Sequence, residues 1–148
     1  MSEPLLLGID VGTGSARAGL FRLDGTQVGR GEHPIVTWKT HPDHVEQSSD
    51  DIWAACCAAV RDAVASAGAN ASDIRGIGFD ATCSLVAIDA QGQPVSVSLS
   101  GDDARNVVVW MDHRATRDAA EINETGHRVL EFVGSSISPE MQTPKLRW

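Results

Sequence analysis

The amino-acid sequence predicts an α/β fold that opens with a three-stranded antiparallel meander and continues with parallel strands and helices in a mixed sheet. Two observations carry this prediction. Near the amino terminus, short apolar runs are separated by turn signals, which is the pattern of a meander. Further along, segments with helical spacing alternate with short apolar runs, which is the pattern of an α/β sheet.

Three strands and two turns make up the predicted meander. A glycine-rich turn at 10–15 joins the first two strands. The dipeptide Asp24-Gly25, the strongest short hairpin signal in the chain, joins the second strand to the third. The predicted strands cover residues 5–9, 16–23 and 26–35.

The remaining elements follow from capping residues, periodicity and helix breakers. Ser48, followed by Asp50 and Asp51, predicts the start of a helix, and Gly68 predicts its end. Gly126 is expected to interrupt the last long helical segment. In order, the predicted elements are a helix from Ser48 to about Ala67, buried strands at 74–79 and 85–88, an apolar strand at 107–110, a helical segment at 115–133, and a helix with Thr143 as cap and Pro144 as first position.

Charge and composition exclude several classes of protein. The formal net charge of −8 argues against a protein that follows a nucleic-acid backbone, which requires clustered Lys and Arg. The three cysteines have neither the spacing of a zinc site nor that of a disulfide framework. The short apolar stretch near Met1 leads us to expect no secretory leader, and the sequence shows no apolar run of ~20 residues. We therefore expect a cytoplasmic chain without nucleic-acid or membrane partners, and homo-oligomer formation stays open.

The first candidate site is the glycine-rich turn with its flanks, residues 10–17. Backbone amides of such a turn, the hydroxyls of Thr13 and Ser15, and the guanidinium of Arg17 are groups that hold phosphate oxygens. Asp10, at the carboxyl end of a strand, is suited to bind Mg²⁺. The Gly-Lys-Ser/Thr of a Walker loop is missing. A plain hairpin with a capping Asp explains the same residues equally well.

The second candidate segment follows the predicted strand 74–79. Asp80, Ala81 and Thr82 form a small polar cluster, and ligands in α/β sheets gather at the carboxyl ends of strands. The cluster therefore suits the edge of a cleft. An ordinary transition from strand to turn is the alternative interpretation.

The third candidate segment follows the predicted strand 107–110 and contains Trp110, Asp112 and Arg114. An indole offers a flat face to sugar C–H groups. Asp112 can accept hydrogen bonds from hydroxyls, and Arg114 can hold that carboxylate in place. A buried core Trp and a helix-capping Asp remain alternatives. Further along, Glu140 could accept hydrogen bonds through its carboxylate, or could be an exposed loop residue.

These segments, in this order, resemble the FGGY family of carbohydrate kinases across essentially all 148 residues. The turn matches the family's Asp-x-Gly-Thr-x-Ser-x-Arg loop, and 110–114 matches its Trp-x-Asp-x-Arg motif. The resemblance implies a ribonuclease-H-like fold, shared with actin-like ATPases, and ATP and Mg²⁺ as cofactors. It also implies Asp10 as the metal-associated carboxylate, an ATP phosphate site of Gly12, Thr13, Gly14, Ser15 and Arg17, and a sugar site of Asp80, Ala81, Thr82, Trp110, Asp112, Arg114 and Glu140.

The resemblance also indicates a substrate class. Glycerol-specific members carry an Arg-Glu pair where this chain has Ala81 and Thr82, so glycerol is disfavoured, and the Asp-Ala-Thr-Cys-Ser form resembles the ribulose kinase branch. The implied activity is ATP-dependent phosphorylation of a ketopentose such as D-ribulose. Another sugar kinase specificity (xylulose, ribitol or a hexulose), an actin-like ATPase and a non-catalytic sugar-binding fragment stay open.

Two parts of such a kinase are not expected within these residues. In the family, the catalytic base belongs to a later Gly-Asp motif, and the adenine pocket lies in a second domain. The resemblance therefore implies that 1–148 is the amino-terminal part of the first kinase domain, with the base beyond Trp148. By itself this part is expected to be inactive.

Overall fold

The computed structural model describes residues 3–148, which divide into two compact units. The first unit comprises the described residues up to Val36 together with Asp50–Thr82, and the second comprises Thr37–Ser49 and Cys83–Trp148. Each unit contains one four-stranded sheet. In chain order the elements are β1 Leu5–Val11, β2 Ser15–Arg22, β3 Gln27–Pro34, β4 Trp38–His41, β5 His44–Gln47, α1 Ser49–Ser66, β6 Ile74–Ala81, β7 Leu85–Val86, β8 Val107–Val108, α2 Thr116–Glu124 and α3 Gln142–Arg147.

The first unit contains the predicted meander, with strand ends within two residues of expectation. Its sheet has the order β3-β2-β1-β6, in which β1, β2 and β3 pair antiparallel and β6 pairs parallel to β1. Gly25 adopts a φ of 88° in the turn between β2 and β3, and Asp24 accepts a hydrogen bond from the amide of Thr26. The Asp-Gly signal therefore marks a hairpin turn, as predicted.

Helix α1 lies unusually close to β3. A Cβ atom added at Gly29 would lie 2.2 Å from the carbonyl oxygen of Ala63, and one added at Gly31 would lie 2.1 Å from that of Ala59. The two glycines on one side and small helix residues on the other thus allow backbone to meet backbone. The core beneath the helix consists of Leu5, Leu7, Ala18, Leu20, Ala59 and Ala63.

Strand β6 is the first place where the structure departs from expectation. We expected a buried strand at 74–79, but Ile77 is 67% exposed and Phe79 is 55% exposed. The strand lies at the edge of its sheet, and the helix packs against β3 instead. The side chains of Ile77 and Phe79, with Trp53 of α1, line an open apolar cavity of about 280 Å³.

The second unit holds a sheet with the order β4-β5-β8-β7, and every pairing in it is antiparallel. The expectation that further parallel strands follow the meander is therefore wrong beyond β6. The strands predicted at 85–88 and 107–110 are shorter, ending at Val86 and Val108. Strands β4 and β5 were not predicted, because β5 buries His44, Glu46 and Gln47 and so has no apolar alternation.

The helical segments of the second unit are shorter than the sequence indicated. Gly126, with a φ of 56°, follows the end of α2 as expected, but residues Arg128–Val133 form a 3₁₀ helix rather than an α-helix. Helix α3 begins at Gln142 with Met141 as its N-cap, not at the Thr143 cap we expected. Pro144 is tolerated there because the first turn needs no amide donor. Within residues 3–148, none of the helices combines the length and the apolar character that crossing a membrane requires.

Candidate functional site

The glycine-rich turn between β1 and β2 is held by its own backbone and by the end of β3. The amide of Gly12 donates to the carbonyl of Ser15 at 3.0 Å, and the amide of Ile35 donates to the carbonyl of Gly14 at 3.0 Å. Thr13, at the tip, is partly buried and engaged in an interaction of its own. The turn is thus a defined loop between two strands, the context in which backbone amides can bind an anion.

Asp10 and Arg17 face each other across this turn. They are paired residues of β1 and β2, and a guanidinium nitrogen of Arg17 lies 2.7 Å from a carboxylate oxygen of Asp10, with both side chains about half exposed. A Cβ atom at Gly12 would lie 2.8 Å from the same guanidinium group. The glycine therefore leaves the space that lets the Arg17 cation lie against the turn.

A row of charged residues crosses the sheet at this level. Along the register, Glu32, Arg17, Asp10 and Asp80 are neighbours on four adjacent strands, so their side chains share one face. Ser15 donates its hydroxyl hydrogen to Glu32 at 2.9 Å. This bond, followed by the one from Arg30, holds the pKa of Glu32 below its usual range. One cation therefore lies between two carboxylates, with a third, Asp80, beside Asp10.

The pair Asp10 and Asp80 fits a magnesium ion of the kind used in phosphoryl transfer. Both are exposed, and they are register partners on parallel strands. The residues described contain no group of three or more potential metal ligands. Mg²⁺ at nucleotide sites is usually held by one or two carboxylates together with the substrate phosphates and water. The residues present match that donor set.

The other predicted residues of this unit lie where β6 ends. The amide of Ala81 donates to the carboxylate of Asp80 at 3.0 Å, and the amide of Thr82 donates to the carbonyl of Val11 at 3.0 Å. The Thr82 bond continues the pairing between β1 and β6 beyond the last strand residue. The structure therefore brings Asp80, Ala81 and Thr82 beside the end of β1, the strand that carries Asp10.

In the second unit, Asp112 and Arg114 form a fully buried ion pair. The guanidinium of Arg114 donates to both carboxylate oxygens of Asp112, at 2.9 and 2.8 Å, and also to Glu46 at 3.0 Å. The amide of Val45 donates to Asp112 at 2.6 Å. The structure thus contains the predicted pairing of Arg114 with Asp112, and it adds Glu46 as a second carboxylate.

The charge state of this cluster follows from its hydrogen bonds. Burial alone would raise the pKa of Asp112, but the bonds from Arg114 and from the amide of Val45 outweigh it, so the pKa lies below its ordinary value. Burial, together with the nearby Arg114 cation, lowers the pKa of His44. At neutral pH the cluster therefore contains an ionised Asp112 and a neutral His44.

Trp110 is held through its backbone. Its amide donates to the hydroxyl of Ser84 at 3.2 Å, and its carbonyl accepts from the ammonium of Lys145 at 2.8 Å. Lys145 is buried and also donates to the carbonyl of Val109 at 2.8 Å. Burial lowers the pKa of Lys145, while Asp112 acts in the opposite direction. The indole of Trp110 is thus attached to a fixed peptide and is itself partly exposed.

Glu140, the last predicted sugar residue, is half exposed and lies 3.1 Å from the ring of His113. Sequence reasoning gave His113 no role, and the structure makes it the partner of this carboxylate. Sequence reasoning also missed three residues that contact the segment 109–114: Glu46, Lys145 and Trp148. The ring of Trp148 lies 4.9 Å from the guanidinium carbon of Arg114. Glu46 and Lys145 both stand in segments that resemble the family, but no local pattern indicates the burial of either side chain.

Known proteins match this chain along nearly its whole length. Residues 5–148 match the FGGY family of carbohydrate kinases, N-terminal domain. An FGGY carbohydrate kinase domain-containing protein of Xenopus laevis is 51% identical over 146 residues, which are 99% of this chain and 26% of that protein. A D-ribulokinase of Saccharomyces cerevisiae is 41% identical over 145 residues, which are 96% of this chain and 20% of that protein. The chain thus spans about a quarter of the length of the relatives it matches.

Solved structures give the same fold. A xylulose kinase from Brucella ovis has a TM-score of 0.83 at 26% identity, with 97% of this chain and 28% of that chain covered. A xylulose kinase from Rhodospirillum rubrum has a TM-score of 0.78 at 25% identity, with the same coverage. The ribonuclease-H-like sugar kinase fold expected from the resemblance is confirmed. The chain belongs to the FGGY family of carbohydrate kinases and matches its N-terminal domain.

Proposed function

We propose that the whole protein to which this chain belongs transfers the γ-phosphoryl group of ATP to a hydroxyl of a ketopentose, with D-ribulose as the preferred acceptor. The observation that carries the proposal is the turn between β1 and β2, where Asp10 and Arg17 lie 2.7 Å apart over Gly12. Phosphoryl transfer depends mainly on positioning and on neutralising negative charge, and this turn offers a cation, a carboxylate and amides for that purpose.

On the phosphate side, Arg17 would exchange its carboxylate partner for phosphate oxygens. Asp10 would hold Mg²⁺, with Asp80 beside it, and the bound ion supplies charge neutralisation on the phosphate oxygens. The exchange is inexpensive because the Asp10–Arg17 pair is half exposed, and exposed ion pairs contribute little stability. Gly12, Thr13, Gly14 and Ser15 complete the proposed phosphate site.

On the sugar side, Trp110 and Glu140 are the proposed direct contacts in the second unit. In the first unit, the proposed sugar contacts are Asp80, Ala81 and Thr82. Asp112 and Arg114 have no exposed side-chain surface, and their polar groups already bond to each other, Val45 and Glu46. We therefore assign them to this site as supports of the Trp110 segment.

The choice of a ketopentose rests on two supports. Ala81 and Thr82 are small, which leaves room for a polyol longer than glycerol. The D-ribulokinase of Saccharomyces cerevisiae is 41% identical to this chain. D-xylulose is the second candidate, favoured by the structural likeness to the xylulose kinase of Brucella ovis.

A substrate panel tests the proposal. The whole protein, given Mg-ATP and in turn D-ribulose, D-xylulose, ribitol and glycerol, should release ADP with the highest kcat/KM for D-ribulose and at least about tenfold less for glycerol. Asp10→Asn should reduce kcat/KM about 100-fold, whereas Asp24→Asn, in the hairpin turn, should not. Equal ATP turnover without any polyol would support an ATPase and contradict the proposal.

A further inference from the structure

Lys145 is a buried cation bonded to backbone carbonyls. It is 4% exposed, and its ammonium nitrogen lies 2.8 Å from the carbonyl oxygens of both Val109 and Trp110. These two carbonyls belong to the two residues that directly follow β8. Burying an ammonium group is costly unless it is well hydrogen-bonded, so a Lys here needs a reason beyond filling space.

Lys145 is one of two side chains that form hydrogen bonds with the backbone of Trp110. Ser84 accepts the hydrogen bond of the Trp110 amide, while Lys145 donates to the Trp110 carbonyl. The amide of Asp112 also donates to the carbonyl of Val109 at 2.9 Å, which closes the turn that follows the strand. With both neighbouring peptide planes fixed, the direction in which the indole leaves the backbone is fixed as well.

Contacts other than those of Lys145 hold helix α3 in place. Arg147 pairs with Asp118 and Glu121 of α2, and Trp148 stacks on Arg114. These contacts attach the end of the helix through residues other than the lysine. Removal of the ammonium group should therefore loosen Trp110 without releasing the helix, which separates a positioning role from a general structural one.

We propose that Lys145 is a positioning residue, which holds the Trp110 peptide so that the indole presents its face to the sugar. The inference rests on the proposed sugar kinase function and deepens it. The ammonium acts through Trp110 and makes no contact with the sugar itself. Its loss should weaken sugar binding selectively, because a displaced indole costs contact with the sugar and leaves the phosphate side unchanged.

The test compares Lys145→Met, Lys145→Arg and Lys39→Met in the whole protein. Lys145→Met keeps the length of the side chain and removes the donors. It should raise the KM for D-ribulose by about tenfold to a hundredfold, with the KM for Mg-ATP unchanged. Lys145→Arg retains a charged donor and should recover part of the loss. Lys39 is the other lysine of the chain and is exposed, so Lys39→Met should behave as wild type.

A second readout follows Trp110 directly. In protein labelled with 5-fluorotryptophan, the fluorine signal of Trp110, assigned with Trp110→Phe, should shift in Lys145→Met, while that of Trp53 stays in place. An unchanged Trp110 signal would overturn the inference. So would a lower kcat with both KM values unchanged, which marks a smaller folded fraction. If the wild type phosphorylates no sugar, the proposed function fails, and the Trp110 signal alone decides whether Lys145 positions this residue.

Discussion

At the scale of single residues, the buried cluster around Arg114 shows how a sequence motif can combine two roles. Trp110 of the motif keeps part of its ring exposed, whereas Asp112 and Arg114 are buried against each other. The motif therefore supplies both a candidate contact surface and the support beneath it. Buried ion pairs of this kind add little net stability, but loss of one partner leaves an uncompensated charge.

Arg114→Met should destabilise the protein by about 3–5 kcal/mol, because Asp112 and Glu46 would remain buried without their cation. Urea unfolding measures the change. Arg117→Met is the matched control, since the Arg117 side chain is 90% exposed, and it should change stability by less than about 0.5 kcal/mol. Equal effects of the two substitutions would show that the cluster carries no special energetic weight.

The lowered pKa of Asp112 predicts a stability profile in acid. Its native pKa lies below the ordinary value of 3.8, so the unfolded chain binds the proton more readily than the native one. The contribution is complete above that value and is lost as the pH falls through the native pKa. Urea midpoints between pH 6 and pH 3 should fall less steeply for Asp112→Asn than for wild type; parallel curves would contradict this assignment.

Sequence reasoning recovered part of this site, and the limit is physical. Asp112 and Arg114 are two positions apart, so their pairing could be foreseen. Glu46 is separated from Arg114 by 68 positions, and nothing in its local sequence marks it as buried. The Asp10–Arg17 pair lies across a short hairpin, but its two partners were expected to face metal and phosphate separately. Local patterns report neighbours in the chain, not partners brought together by folding.

At the scale of elements, the turn-rich beginning of the chain was predictable because turns are local. The meander follows from a glycine turn and an Asp-Gly dipeptide. Strand β5 was not predictable, because its burial is stabilised by ion pairs and hydrogen bonds rather than by alternating apolar residues. Strand β6 was recognised, but its exposure depends on which strands of the sheet α1 covers.

The close approach of α1 to β3 gives a prediction at this scale. Gly31→Ala should destabilise the protein by about 1–3 kcal/mol, because the new methyl group would meet the carbonyl of Ala59 and push the helix outward. Gly78→Ala in β6 is the control, since nothing lies within 4 Å of its added Cβ. Thermal unfolding should show a lower midpoint for the first variant only. A wild-type midpoint for Gly31→Ala would mean that the helix can shift freely.

At the scale of the whole molecule, an acidic chain carries an exposed apolar face in its first unit. The net charge is −8, yet Trp53, Ile77 and Phe79 surround an open cavity whose lining is mainly apolar. Exposed apolar patches of this kind bind apolar dyes and promote association. We therefore expect this face to bind apolar molecules.

This face should bind anilinonaphthalene sulfonate when the 148-residue chain is studied by itself. The wild-type chain should enhance the fluorescence of the dye. In the double variant with Ile77→Thr and Phe79→Thr, the enhancement should fall by about half or more. Leu99→Thr is the matched control, because Leu99 is exposed and does not line this cavity. Equal fluorescence of all three proteins would show that the dye binds elsewhere.

Because Lys145 is buried, the reactivity of its amine reports local opening of the structure. The sequence holds two lysines: Lys39 is open to solvent, and Lys145 is enclosed. An acylating reagent applied briefly should modify Lys39 at once and reach Lys145 only when the carboxyl-terminal helix lifts. The ratio of the two adducts, measured by mass spectrometry, therefore reports how often this segment opens in the wild-type protein.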